Sequence, residues 1–352
     1  FIVYNERNYP NLTNLFAALG TDTKASDMSF SVSDPGTGIE YAGSISGILA
    51  KTTNIARPQM WSILRGIKEF RTEQSRLAAG EIPEGLSISD YLMYRQYPRS
   101  FASHYLLPLA AAVWSGTGDD VAQMPARTFL NFLANHGLLR LNDRPQWRTV
   151  AGGSRRYVSR ALAGVDEVLL DRPVIAVDRS ADAVTVHDAS GESRTFDQVV
   201  FATHADTAMR ILGEGATDSE RDIIGAFRYA TNRAVVHSDT GLMPHRRRAW
   251  SSWNAKGAVT PDASNPVTVT YWMNRLQSLP EDRQIFVSLN PSEEPHPDHV
   301  IDDVLFQHPQ FDAASERAQS DLGLIQGDNR TWFAGAYCGY GFHEDGLQAG
   351  LT

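Results

Sequence analysis

In "NYPNLTNLFAALG" (8–20) the apolar positions Leu12, Leu15, Phe16 and Leu19 recur as one face of a helix, and Gly20 follows as a stop. The pattern changes at "FSVSDPGTGIEYAG" (30–43), where two runs flanking Asp34, Pro35 and Gly36 predict a hairpin. From 57 to 140 the period is helical, through "RPQMWSILRGIKEFRTEQSRLAA", "SISDYLMYR", "PRSFASHYLLPLAAAVW" and "PARTFLNFLANHGLL". "WRTVAGGSRRYVSRALA" (147–163) reads as a strand end, a glycine pair and a helix. Residues 167–206 alternate with period two between tight turns, which predicts a series of short strands. "NRAVVHSD" (232–239), "VTVTYWMN" (267–274) and "QIFVSLN" (284–290) predict further strands. The last segment, "RTWFAGAYCGYGFHEDGLQAGLT" (330–352), is a strand run, a glycine-rich turn and an opening helix. Interleaved helices and strands without an internal repeat give an α/β or α+β fold with an inserted helical subdomain.

A chain of 352 residues fits two domains, or one large domain with an inserted lobe. The net charge of −9 argues against a nucleic-acid partner. The one basic cluster, "HRRRAW" (245–250), fits a solvated surface turn, with a small anionic-headgroup or phosphate contact as the alternative. Cys338 is the single cysteine, so no internal disulfide framework exists and a reducing, cytoplasmic setting is expected. "YLLPLAAAVW" (105–114) is too short for a membrane span and contains Pro108; it reads as a buried helix.

The sequence contains no G-x-S-x-G, no H-E-x-x-H and no complete Walker loop. His296 and His299 lie three apart in "EEPHPDHV", but a proline-broken acidic loop is commonly solvated, and no metal is expected. The glycine-rich end carries more. A strand, a glycine turn and a helix start present unpaired N–H groups and a positive dipole end, and glycines admit a flat or anionic ligand close to the backbone.

"TWFAGAY…GYGFHEDGLQAG" resembles the C-terminal flavin-binding motif of the FAD-dependent amine oxidase-like flavoproteins. "RPVIAVDRSADAVTVHDASGESRTFDQVVFATHA" is similar to that family's adenine-side valine and short meander, and "VAGGSRRYVSRAL" to the helix start before it. The chain as a whole resembles a bacterial subgroup of NAD/FAD-binding oxidoreductases. That resemblance implies an α/β fold: an incomplete FAD-binding Rossmann-like domain with a mixed-sheet substrate domain and a helical insertion. It implies this division: 1–56, partial FAD domain and link; 57–146, helical substrate subdomain; 147–206, FAD-domain helix and β-meander; 207–329, mixed sheet; 330–352, the C-terminal FAD-binding strand, turn and helix. The family's opening strand–GxGxxG–helix has no counterpart in these residues, so the chain is expected to be an N-terminally truncated fragment, lacking roughly 50–60 residues of that unit and unlikely in this form to hold FAD tightly.

Carried over residue by residue, the resemblance puts Val174 main chain on the adenine and Ala202 and Thr203 beside the dinucleotide. It puts Gly335 where the ribityl and pyrophosphate pass, with Ala336 offering backbone only. Gly341 falls in the same turn. Phe342 is implied to face the flavin ring, and His343 to offer its N–H to the pyrimidine end. Ile2, Val3 and Tyr4 are implied to border the ring from the other side. Lys256 is the one candidate for a lysine near flavin N5, while Glu344 reads as a helix-dipole partner rather than an acid. No catalytic side chain is assigned. The aromatic strands supply Trp250, Trp253, Tyr271 and Trp272 as a cavity roof, and Trp253, Tyr271 and Tyr340 are the substrate-contact candidates. An aromatic cavity without an obvious carboxylate favours a small apolar substrate, such as a fatty-acyl or other lipid chain, over a polar amine. The expected function is hydride removal onto FAD by an oxidoreductase. The alternative is a non-catalytic lipid- or protein-binding module on the same scaffold. Peripheral membrane contact is admitted, and no obligate protein partner is evident.

Overall fold

The computed structural model describes residues 2–43, 45–48, 50–139, 144–262 and 267–352, without the side chains of 45 and 46. Its largest element is a seven-stranded mixed sheet. The strand order is Val300–Gln310, Arg228–His237, Phe286–Leu289, Thr268–Trp272, Trp253–Lys256, Phe30–Asp34 and Ile39–Ala42. Neighbours are antiparallel except Trp253–Lys256 and Phe30–Asp34, which pair in parallel with Trp253 opposite Phe30. Central Thr268–Trp272 is buried at every position, while edge strand Val300–Gln310 is largely exposed and tolerates Pro309.

The hairpin predicted at 30–43 is present, its turn held by Gly36 N–H and Thr37 hydroxyl donating to the Asp34 carboxylate. The same carboxylate reaches His104 Nε2 at 3.1 Å, a buried contact that ties the hairpin to the helical layer.

That layer comprises Pro58–Phe70, Glu73–Ala78, Ile88–Tyr94, the composite helix 99–114, Gly118–Gln123 and Ala126–Asn135. Ser87 with Asp90, and Thr117 with Asp120, form reciprocal capping boxes at two of these helix starts. Gly66 lets Pro58–Phe70 press against Phe101, because a Cβ there would overlap the phenylalanine ring. The composite helix absorbs Pro108 through a π-helical turn over Ala102–Leu106. Proline has no N–H for the carbonyl four residues earlier. That carbonyl, on His104, instead accepts the Tyr41 hydroxyl at 2.8 Å. The segment is a buried helix, as its sequence predicts, and among the described residues no helix is long and apolar enough to cross a membrane.

The second lobe gathers the meander Val174–Arg179, Val184–Asp188 and Ser193–Phe196 with a short parallel pair, Val199–Phe201 and Thr331–Phe333. Helices Ala205–Leu212 and Asp218–Ile224 pack into the same core as Val177, Phe201, Phe333 and Tyr337. These helices, like Ala313–Asp321, therefore sit with the meander rather than with the sheet assigned to 207–329. A fourth, three-stranded sheet joins Tyr4–Asn5 and Thr23–Ala25 to either side of Trp147–Val150.

Candidate functional site

The glycine-rich turn leaves the carboxyl end of the parallel pair, the place where open α/β sheets bind ligands. Ala334 N–H continues the pairing to the Phe201 carbonyl at 3.0 Å. At Gly335 a Cβ would stand 2.5 Å from the Tyr337 ring, so the packing of that ring under the turn requires glycine. Ala202 and Thr203 are exposed there. Gly341, at φ +93°, folds back so that its N–H reaches the Ala336 carbonyl at 3.1 Å.

Two glutamines that the sequence reading did not single out hold this turn. Gln319 Nε2 donates to the carbonyls of Tyr337 (2.9 Å) and Gly339 (2.6 Å). Gln326 exchanges hydrogen bonds of 2.8 Å with both backbone groups of Phe333. A lone glutamine on a polar helix face gives no sequence signal for such a role.

The final helix, His343–Leu351, starts without a side chain capping its amides, and His343 is exposed at its first position. Asp345 accepts the Phe342 N–H at 2.9 Å, and burial pushes its carboxyl above the ordinary value. Glu344 lies in the first turn of its own helix, as expected of a dipole partner, and has a second task. Its two oxygens accept the N–H groups of Asn11 and Leu12, each at 2.9 Å, so it caps helix Pro10–Ala18 rather than its own.

The remaining cofactor candidates divide between the lobes. Val174 opens the meander and packs on the core that holds Phe201, Phe333 and Tyr337. Ile2 and Val3 pack against the mixed sheet around Ala112, Val269 and Tyr271. Tyr4 is buried edge-on to Phe16, so its ring lies in a separate core. The Phe342 ring stacks on Phe132 (centroids 4.9 Å apart) and lies 5.8 Å from His136.

A cavity of about 740 Å³ lies between the helical layer and the mixed sheet. Its apolar wall includes Phe30, Leu64, Ile67, Leu109, Val113 and Trp253. The Trp253 indole nitrogen is buried without a hydrogen-bond partner, one unsatisfied donor in this wall. The other two substrate candidates are placed elsewhere. Tyr271 is buried behind Trp253, edge-on at 4.9 Å, with its hydroxyl donating to the Ala112 carbonyl. Tyr340 packs against Phe132, and its carbonyl accepts the Trp114 indole N–H. Tyr271 is the cross-strand partner of Trp253 and shares its face of the sheet, so what keeps it from the cavity is its cover by Trp253 and the helix carrying Ala112, a packing register not written in either sequence.

One end of the cavity is walled by His136 and Trp147, and there His136 links the cavity to Phe342 through Phe132. Burial lowers the His136 pKa from 6.5 to about 4. The ring is therefore neutral at pH 7, and its Nδ1–H donates to the Phe132 carbonyl at 2.9 Å, leaving Nε2 as an acceptor. The cavity wall also contains Arg71, Arg144, Arg247, Arg248 and Arg275, against Asp27 as its one carboxylate among the described residues. Lys256 is outside it, paired with Glu293 at 2.8 Å. His296 and His299 lie near each other, but no group of three metal-ligating side chains exists among the described residues.

The flavin containing amine oxidoreductase model matches residues 7–232. No curated protein matches the sequence. Among solved structures, a fatty acid isomerase from P. acnes superposes with a TM-score of 0.65 at 12% identity, covering 100% of this chain and 85% of its own. Putrescine oxidase bound to putrescine gives 0.66 at 13%, covering 99% and 85%. Cyclohexylamine oxidase from Brevibacterium oxydans IH-35A gives 0.64 at 13%, covering 99% and 84%. The fold is that of FAD-binding amine oxidases, and the chain belongs to the flavin containing amine oxidoreductases.

Proposed function

We propose that this flavin-dependent oxidoreductase uses FAD to oxidise a substrate whose reacting part is an apolar chain. One observation carries the reading: the apolar cavity ends at His136, within one aromatic stack of Phe342 and the glycine-rich turn.

The residues present fit a flavin along that turn. The backbone from Ala334 to Phe342 curves at the carboxyl end of the parallel pair, beside the exposed Ala202 and Thr203. Gly335, Ala336, Gly341 and Phe342 would hold the isoalloxazine and ribityl end, with Ala202 and Thr203 alongside and Val174 toward the adenine. When bound, FAD would supply a two-electron acceptor for a hydride taken from a substrate C–H bond.

The protein's own residues then do three things. Leu64, Ile67, Leu109 and Val113 exclude water from the chain being oxidised. Trp253 flanks that chain and offers its unpaired N–H. His136, neutral and fixed by its bond to Phe132, can accept a hydrogen bond at Nε2 at the cavity end.

The test is anaerobic titration of the FAD-loaded protein with medium-chain acyl compounds, alkanols and alkylamines, following the flavin absorbance. Bleaching by a long-chain compound, lost in Leu109→Asp, is the expected result. FAD-loaded protein that bleaches only with short hydrophilic amines overturns the reading, as does a complete protein, carrying the family's opening strand–GxGxxG–helix, that takes up no FAD.

A further inference from the structure

The cavity's chemistry is asymmetric, and its polar part has a sign. Five arginines and one carboxylate line it, in a protein whose net charge is −9. Four of the five, Arg144, Arg247, Arg248 and Arg275, are exposed, and Arg247 and Arg248 sit side by side on one loop. The carboxylate, Asp27, is engaged: it meets Arg275 at 3.1 Å and accepts the Ser252 hydroxyl at 2.8 Å. Burial pushes Asp27 up, yet hydrogen bonds from Ser29 and Ser252 and the Arg275 charge hold it below its ordinary value. It therefore remains an anion satisfied within the wall, not a free partner for a cationic ligand.

Arg247 is held in place for binding. The basic loop that the sequence reads as a solvated turn is pinned from below by buried Glu40, whose oxygens accept the N–H groups of His245 (3.0 Å) and Arg246 (2.9 Å). Trp250 adds a bond from its indole nitrogen to the Pro244 carbonyl at 2.8 Å. On this base the Arg247 guanidinium stacks 3.9 Å from the Trp250 ring and 4.6 Å from the Trp272 ring. The two rings stand at 90° to each other and form a corner that holds the guanidinium. Among the described residues no carboxylate pairs with Arg247 or Arg248.

The geometry points to a headgroup site beside Trp250: Arg247, with Arg248, takes the anionic headgroup, carboxylate or phosphate, of a single-chain amphiphile whose tail fills the apolar cavity. This rests on the oxidoreductase reading only for what happens to the tail; the headgroup site stands on charge and geometry alone. It also explains what the site rejects. An alkylammonium ion meets guanidinium charges there and no unengaged carboxylate among the described residues.

The experiment measures binding of dodecanoate, dodecyl phosphate, dodecanol and dodecylamine below their micellar concentrations, with acetate and inorganic phosphate as headgroup-only controls. Intrinsic tryptophan fluorescence of the full chain is the readout, since Trp250, Trp253 and Trp272 all line the cavity. One or both anionic amphiphiles bind about tenfold or more tighter than dodecanol, in line with a charge-assisted hydrogen bond, and dodecylamine binds weakest. Which anion wins identifies the headgroup. Raising the ionic strength narrows the gap. Arg247→Gln with Arg248→Gln removes the anion preference while dodecanol binding persists, which also shows that the variant is folded. Equal binding of dodecanoate, dodecyl phosphate and dodecanol, tighter binding of dodecylamine, or an anion preference that survives the double variant overturns the site. Tight binding of acetate or phosphate alone overturns the amphiphile. The outcomes separate from those above. Anion-selective binding without flavin bleaching keeps this site and removes the oxidation reading; bleaching that ignores headgroup charge does the reverse.

Discussion

His136 shows how burial turns an ordinary residue into a site residue. Nothing in "NFLANHGLL" marks it, because a lone histidine near a helix end is most often packing. The fold stacks it on Phe132 with ring centroids 4.0 Å apart and removes it from water, and burial lowers its pKa from 6.5 to about 4. In the unfolded chain the ring takes its proton near 6.5; in the folded chain it does so only near 4. Between those values the unfolded state holds more protons, so this residue makes stability rise with pH across that window and fall on acidification. His136→Phe keeps the stack and removes the titration. Urea midpoints from pH 4 to 7 are expected to give a flatter acid limb for the variant, the remaining slope coming from His237, His308 and His343, which desolvation also lowers, and from carboxylates such as Asp34 and Glu220 held below their ordinary values. An unchanged slope would show that the ring titrates normally. Arg247 is the opposite case. Three adjacent arginines look like a solvated turn, and the residue that stacks on two tryptophans cannot be chosen without knowing where Trp272 falls.

At the scale of elements, the sequence was most readable where one local signal decided the structure. The hairpin around Asp34, Pro35 and Gly36, the Pro10–Ala18 helix and the sheet strands near 232, 267 and 284 follow from turn chemistry and period. The strand Val300–Gln310 did not show itself, because an edge strand with two adjacent aspartates and a proline loses its alternation. Helices Ala205–Leu212 and Asp218–Ile224 are recognisable as amphipathic, but amphipathicity names a buried face and not the core that receives it. The composite helix 99–114 combines both kinds of information. Pro108 announces a break; only the fold reveals that Tyr41, from the hairpin, supplies the missing donor. Tyr41→Phe leaves the His104 carbonyl unsatisfied, and a loss of about 1–3 kcal/mol in urea unfolding is expected at unchanged m. A loss within error would mean that water replaces the hydroxyl.

For the whole molecule, the two lobes differ in how well they are closed. The mixed sheet is covered by the helical layer, whereas the parallel pair consists of two three-residue strands with no third strand among the described residues. Val200 and Trp332 stand opposite each other on that pair, 59% and 38% exposed. Open edges with apolar side chains recruit other chains. Val200→Lys is expected to lower concentration-dependent light scattering of this chain by about twofold or more, and no change would place the sticky surface elsewhere.

The Glu344 contact with Asn11 and Leu12 has a consequence in time. It joins residues 332 and 333 positions apart, so its ring closes over nearly the whole chain. During synthesis the Pro10–Ala18 segment leaves the ribosome among the earliest parts of this chain, and Tyr9 gives it no side-chain cap. Its first turn lacks these two bonds until residue 344 has been translated, and that later arrival fastens the two helices to each other.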